Sequence, residues 1–146
     1  MGETTRCGFA ALVGAPNAGK STLLNKMAGA KLSIVSPKAQ TTRARVLGIL
    51  MRGTCQILLV DTPGIFQPRR RLDRAMVAAA WSGAEDADIT MLLVDARSGL
   101  TDAVSSIIER LATTGRKLWL VLNKPDLVPP ERLLPLTEQL TKKLAV

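Results

Sequence analysis

Apolar residues fall along the chain in short runs that alternate with segments of helical spacing. Cys7–Val13 is a compact apolar run ending in Gly14-Ala15-Pro16-Asn17, the profile of a buried strand entering a turn. Over Lys20–Ala28, the apolar positions Leu23, Leu24, Met27 and Ala28 recur at helical intervals and predict a helix. Val46–Met51 and Gln56–Val60 read as two strands joined by Arg52-Gly53-Thr54, a hairpin turn. Leu72–Ala84 is alanine-rich and predicts a helix, and Ile89–Val94 is another buried strand. Thr101 is suited to cap a helix on which Val104, Ile107, Ile108 and Leu111 form one apolar face. Leu118–Leu122 predicts a fifth strand. A final helix, Arg132–Leu144, follows Pro129-Pro130 with Leu133, Leu136, Leu140 and Leu144 on one side, and accepts Pro135 only in its first turn.

Strands alternating with helices predict an α/β fold with a mainly parallel sheet and helices on both faces. In such sheets ligands bind beyond the carboxyl ends of the strands, so the loops there carry the chemistry. The 146 residues are one domain's worth, and 47% hydrophobic against 22% charged excludes a disordered chain. The longest apolar run, Ala75–Trp81, is far short of the roughly 20 residues that a membrane helix needs. The first residues lack a secretory pattern, and Arg6 stands where a myristoylation motif wants Ser or Thr. With no His, a zinc site or a His-based catalytic triad is excluded. Cys7 and Cys55 begin two strands expected to be neighbours and read as partly buried free thiols of a reducing cytoplasm, with no disulfide partner. Trp81 and Trp119 lie in apolar runs and read as packing residues.

Charge changes the picture. The net charge is +8, and residues 38–74 hold Lys38, Arg43, Arg45, Arg52, Arg69, Arg70, Arg71 and Arg74 against only Asp61 and Asp73. Such a stretch suits phosphate, nucleic acid or an anionic membrane surface, or is simply a solvated face.

Three loops at predicted strand ends carry candidate chemistry. Gly14-Ala15-Pro16-Asn17-Ala18-Gly19-Lys20-Ser21 matches G-x-x-x-x-G-K-S/T between a strand and a helix, and Thr22 follows it. Loop amides at the helix N-terminus would bind phosphate oxygens, Lys20 would neutralise their charge, and the Ser21 hydroxyl would ligate Mg²⁺. Asp61-Thr62-Pro63-Gly64 ends the strand Gln56–Val60, placing Asp61 to hold Mg²⁺ and the Gly64 amide to sense a γ-phosphate. Asn123-Lys124-Pro125-Asp126 ends Leu118–Leu122. A carboxylate there accepts two hydrogen bonds from guanine, and adenine would leave it unpaired, so GTP is favoured over ATP. The Lys124 stem would pack along the base. Between the first two loops, Gln40-Thr41-Thr42-Arg43 offers a threonine for Mg²⁺ and the γ-phosphate. On spacing alone Thr41 and Thr42 are equivalent.

Taken together these stretches resemble translation-factor-related small GTPases. G-A-P-N-A-G-K-S-T, S-P-K-A-Q-T-T-R, D-T-P-G-I and a later L-L-P are most similar to the Era-type family of bacterial GTPases. The resemblance covers roughly residues 7–144 and implies a P-loop NTPase G domain that binds and hydrolyses GTP with Mg²⁺. It implies that Thr42 is the Mg²⁺-binding threonine. It also implies small-subunit ribosomal RNA and the 30S subunit as partners, with peripheral contact at the inner face of the cell membrane. Ile65 stands where many GTPases place a water-orienting Gln, and Gln67 is two residues further on. Relatives with this substitution often use K⁺, held near the phosphates by the residue that corresponds to Asn17, and slow hydrolysis is expected.

The family's fifth motif, a loop packing on the guanine, is not found among the 20 residues after Asp126, nor is the G-x-x-G loop of an RNA-clamping KH domain. The expectation is therefore a single G domain over residues 1–146, truncated before its last strand and helix and without a KH domain. Two other readings remain open: a G-domain fragment that binds guanine nucleotide without turnover, and a basic RNA- or membrane-binding module. The latter is poorly served for base stacking, since Phe66 is the only aromatic residue in its basic stretch.

Overall fold

The computed structural model of the protein describes residues 4–29, 46–61, 87–112 and 117–144. The elements are β1 (Arg6–Gly14), α1 (Lys20–Ala28), β2 (Val46–Arg52), β3 (Cys55–Asp61), β4 (Ile89–Asp95), α2 (Asp102–Ala112), β5 (Leu118–Asn123) and α3 (Leu133–Leu144). Two short 3₁₀ turns, Pro125–Leu127 and Pro130–Arg132, link β5 to α3. The helix expected over Leu72–Ala84, with Trp81, lies outside the described residues.

The strands form one sheet in the order β2-β3-β1-β4-β5. β1 pairs in parallel with β3 and β4, β4 pairs in parallel with β5, and β2 runs antiparallel to β3. The β2–β3 turn is one residue tighter than the sequence suggests. Arg52 pairs with Cys55, leaving Gly53-Thr54 as a two-residue turn, and Gly53 supplies the positive φ (56°) that such a turn requires.

Alternate residues of the central strands point to opposite faces, and both faces are covered. On one, Val13, Leu92 and Val94 meet Val104, Ile107, Ile108 and Leu111 of α2 and Leu140 and Leu144 of α3. On the other, Ala10, Leu12, Leu59 and Leu93 meet Leu24 of α1 and Ala18. Helices on both faces of a mainly parallel sheet is the arrangement that the patterning predicts. The Thr101 side chain accepts a hydrogen bond from the Val104 amide at 3.2 Å, as an N-cap should. Pro135 is the third residue of α3, where its missing N–H costs no helical bond.

Two expectations fail here. Trp119 is not a packing residue: it is 58% exposed. It shares a face with Val121, but α1 lies over β1, β2 and β3 and does not reach it. Cys7 is exposed rather than partly buried, whereas Cys55 is half-buried as expected. In register, Cys7 faces Gln56 and Cys55 faces Arg6, so the two thiols project from opposite sides of the sheet and cannot bridge. Among the described residues no helix is long and apolar enough to cross a membrane.

Candidate nucleotide-binding site

Gly14, Asp61, Asp95 and Asn123 are the last residues of β1, β3, β4 and β5, which are mutually parallel and adjacent. One edge of the sheet therefore gathers four strand ends, and the turns leaving β1 and β5 meet above it.

The turn after β1 is held close to the sheet. A Cβ on Gly14 would lie 2.6 Å from the Leu93 carbonyl oxygen, so only glycine lets β1 run this near β4. Asn17 (φ 64°) and Gly19 (φ 98°) are both left-handed, and the Ala18 amide donates to the Ala15 carbonyl at 3.3 Å. The loop so formed ends at Gly19, the N-cap of α1, which offers no side-chain cap. The first turn of α1 also has no acidic residue, unlike that of α2, which begins with Asp102. The positive end of the α1 dipole is thus left without a carboxylate of its own, a setting that favours an anion. Lys20 is buried, 6% exposed, and its Nζ donates to the carbonyls of Gly14 (3.3 Å) and Ala15 (3.0 Å). An ammonium held inside the loop beside a helix N-terminus without a side-chain cap fits phosphate. Ser21 is half-buried and Thr22 exposed at the start of the same helix.

The turn after β5 is tied to this loop twice. Asn123 Nδ2 donates to the Ala18 carbonyl at 2.8 Å, and a Cβ on Gly19 would collide with that same nitrogen. Lys124 Nζ donates to the Asn17 carbonyl at 2.8 Å and to Asp95 Oδ2 at 3.0 Å. Lys124 is itself left-handed (φ 57°), and its carbonyl accepts from the Leu127 amide at 3.1 Å, which turns the chain so that Asp126 is exposed. Asp95 Oδ1 accepts from the Arg97 amide at 2.9 Å. Partial burial pushes the Asp95 carboxyl upward. The hydrogen bonds from Lys124 and the Arg97 and Ser98 amides, together with the Lys124 charge, outweigh it and hold the group below its ordinary value.

The structure thus brings together Gly14, Ala15, Pro16, Asn17, Ala18, Gly19, Lys20, Ser21 and Thr22 with Asn123, Lys124 and Asp126. The Asp61 backbone ends β3 in register with Leu12, next to the phosphate loop. Its side chain lies outside the described residues, as do Thr41, Thr42, Thr62, Pro63, Gly64, Ile65 and Gln67. Most of the basic stretch does too; Arg52, within it, is exposed. Asp95 was missed by sequence reasoning, although an acid at the carboxyl end of a buried strand was a usable signal. Among the described residues no three His, Cys, Asp or Glu side chains gather as a metal site.

A family model described as "50S ribosome-binding GTPase" matches residues 9–124, from β1 through the Lys124 turn. The chain belongs to this GTPase family. Its fold is accordingly the P-loop G domain. Within the family it is similar to the GTPase Era of Bradyrhizobium sp. strain BTAi1, 58% identical over 98% of this chain and 46% of that protein. It is similar to Era of Dinoroseobacter shibae as well, 58% identical over 93% of this chain and 45% of the relative. The chain spans about half the length of the curated relatives it matches. Among solved structures it resembles Era in complex with MgGDPNP and nucleotides 1506–1542 of 16S ribosomal RNA. That match has a TM-score of 0.91 and 39% identity over 96% of this chain and 48% of the other. A point variant of Aquifex aeolicus Era bound to GDP·AlF₄⁻ matches with a TM-score of 0.88 and 40% identity, over 94% of this chain and 47% of the other.

Proposed function

We propose that the protein is a GTP-binding and GTP-hydrolysing switch of the Era type. The observation that carries the reading is the double tie of Asn123 to Ala18 and Lys124 to Asn17, which makes a base-reading turn and a phosphate loop into one site. Amides of residues 15–20 and the Lys20 ammonium hold the phosphates, and Asp126 accepts from the guanine edge. Ser21, Thr42 and Asp61 hold Mg²⁺, which when bound neutralises charge on the phosphates. Thr42 and the Gly64 amide sense the γ-phosphate. Ile65 lacks a group to orient the attacking water, so intrinsic hydrolysis is slow. Asn17, exposed at the loop tip, holds K⁺, and hydrolysis is faster in K⁺ than in Na⁺.

Residues 1–146 act as one G domain and span about half the length of the Era relatives, whose full length is the context for RNA recognition. In that larger context the switch binds small-subunit ribosomal RNA and assists 30S assembly in the cytoplasm, with peripheral contact at the inner membrane face. The solved Era complex with 16S ribosomal RNA and MgGDPNP supports the RNA partner. The reading is tested by titrating fluorescent GDP and ADP analogues with Mg²⁺, and by repeating the titration with Asp126→Asn and xanthosine diphosphate. Guanine-selective binding that moves to xanthine is expected. Equal binding of GDP and ADP would overturn the assignment of Asp126, and a phosphate-release assay separates a turning-over switch from a mere binder.

A further inference from the structure

We infer that Asp95 is a positioning residue for guanine-nucleotide binding, fixing Lys124 between the end of β4 and the phosphate loop. The inference rests on the guanine-nucleotide reading above and assigns a role to a residue outside every motif that supports it.

Three observations converge on this carboxylate. Asp95 is in register with Asn123, so it stands at the base of the turn that reads the nucleobase. Both of its oxygens are engaged. Oδ1 accepts from the Arg97 amide, which locks the side chain to its own turn, and Oδ2 takes the Lys124 ammonium at 3.0 Å. The rest of that turn is rigid as well, because the Gly99 amide donates to the Asp95 carbonyl and the Ala96 amide to the Asn123 carbonyl, each at 2.9 Å. Asp95 is therefore a fixed anchor, and Lys124 is the moving part.

What the anchor holds is unfavourable by itself. Asn17 and Lys124 are the two non-glycine residues with positive φ among the described residues, a conformation that disfavours side chains. They meet through the Lys124 Nζ bond to the Asn17 carbonyl. A free lysine would wave its ammonium in water and release both backbones. With its charge neutralised by Asp95, the ammonium stays in place between the end of β4 and the Asn17 carbonyl, and the stem runs past Gly19, where an added Cβ would lie 3.8 Å from Lys124 Cε. The ion pair is only partly exposed, 31% at Lys124 and 12% at Asp95, so water and salt screen it incompletely.

The test uses the full chain with Asp95→Asn and Asp95→Glu, alone and in a Lys124→Met background. Asn keeps an acceptor for the Arg97 amide and removes only the charge. The expected result is GDP and GTP affinity lowered alike by about threefold to tenfold, through faster dissociation. Asp95→Glu should recover most of the loss, and Asp95→Asn should add nothing once Lys124 is Met. A merely structural acid would weaken binding equally in both backgrounds, and that outcome, or unchanged affinity of Asp95→Asn, overturns the inference. Asp126→Asn is measured in parallel. A switch to xanthosine diphosphate without any Asp95 effect defeats this inference alone, and the absence of a switch defeats the guanine reading beneath it.

Discussion

The closest main-chain approach in the site predicts the largest effect of a single methyl group. In Gly14→Ala the new Cβ would lie 2.6 Å from the Leu93 carbonyl oxygen, about 0.8 Å inside the 3.4 Å at which ordinary contact begins. Leu93 is fully buried, and Gly14 is its registered partner across the two central strands. The clash is with backbone, so no rotamer change relieves it; β1 and β4 must part. Overpacking of this kind costs about 3 kcal/mol, the upper part of the usual range, because neither strand can move without its other neighbour. For a domain of this size that lowers the melting temperature by about 10 °C. Ala15 follows immediately, and its carbonyl is the nearer acceptor of Lys20, so GDP affinity should drop about tenfold as well. Gly29→Ala is the control. Its Cβ meets no atom within 4 Å, and only its left-handed backbone (φ 71°) is strained, at about 1 kcal/mol. Thermal melts and GDP titrations of both variants decide the matter. A Gly14→Ala protein as stable as Gly29→Ala, with parental GDP affinity, would refute the claim that glycine sets the β1–β4 spacing.

Gly19→Ala combines a left-handed backbone with a collision on Asn123 Nδ2, so GDP binding should weaken by about tenfold or more, out of proportion to a loss of about 1–2 kcal/mol in thermal stability. Thr101→Ala removes the cap on the Val104 amide and should cost about 1 kcal/mol in denaturant unfolding while leaving nucleotide titrations unchanged. Asp95 titrates below its ordinary 3.8 when folded, so the stability it contributes is present above that value and is lost as pH falls through the lower folded one. Urea melts at pH 3 and pH 7 should therefore show a smaller acid-induced loss for Asp95→Asn than for the parent.

The elements were legible because the central strands are buried on both faces. Central strands then read as unbroken apolar runs, and the α2 face as an unmistakable helical stripe through Val104, Ile107, Ile108 and Leu111. The candidate site stood out for a different reason: a phosphate loop of the proposed kind calls for glycine, lysine and a hydroxyl at fixed spacing, and a proposed guanine-reading turn calls for Asn and Asp. What sequence could not convey was relation across the sheet. Nothing local in Asp95 says that Lys124 lies 3.0 Å away, 29 residues on, because that contact exists only through β4–β5 register. Trp119 failed for the same reason. Its apolar neighbours imply burial, but burial depends on whether a helix lies above that strand, and α1 sits elsewhere.

The unequal anchoring of the two sheet faces has a kinetic consequence. α2 and α3 share one continuous core with Val13, Leu92 and Val94, so their amides exchange with solvent only when the whole domain opens. Among the described residues, α1 contributes one fully buried side chain, Leu24, to the cluster on its face. With that anchoring, α1 is expected to open at lower free energy than α2 and α3, so that the helix presenting Lys20 and Ser21 detaches before the rest. Nucleotide bound at its N-terminus raises that opening cost in proportion to the logarithm of ligand concentration. Protection of α1 amides against deuterium then becomes a gauge of occupancy, while α2 serves in the same spectrum as the internal clock.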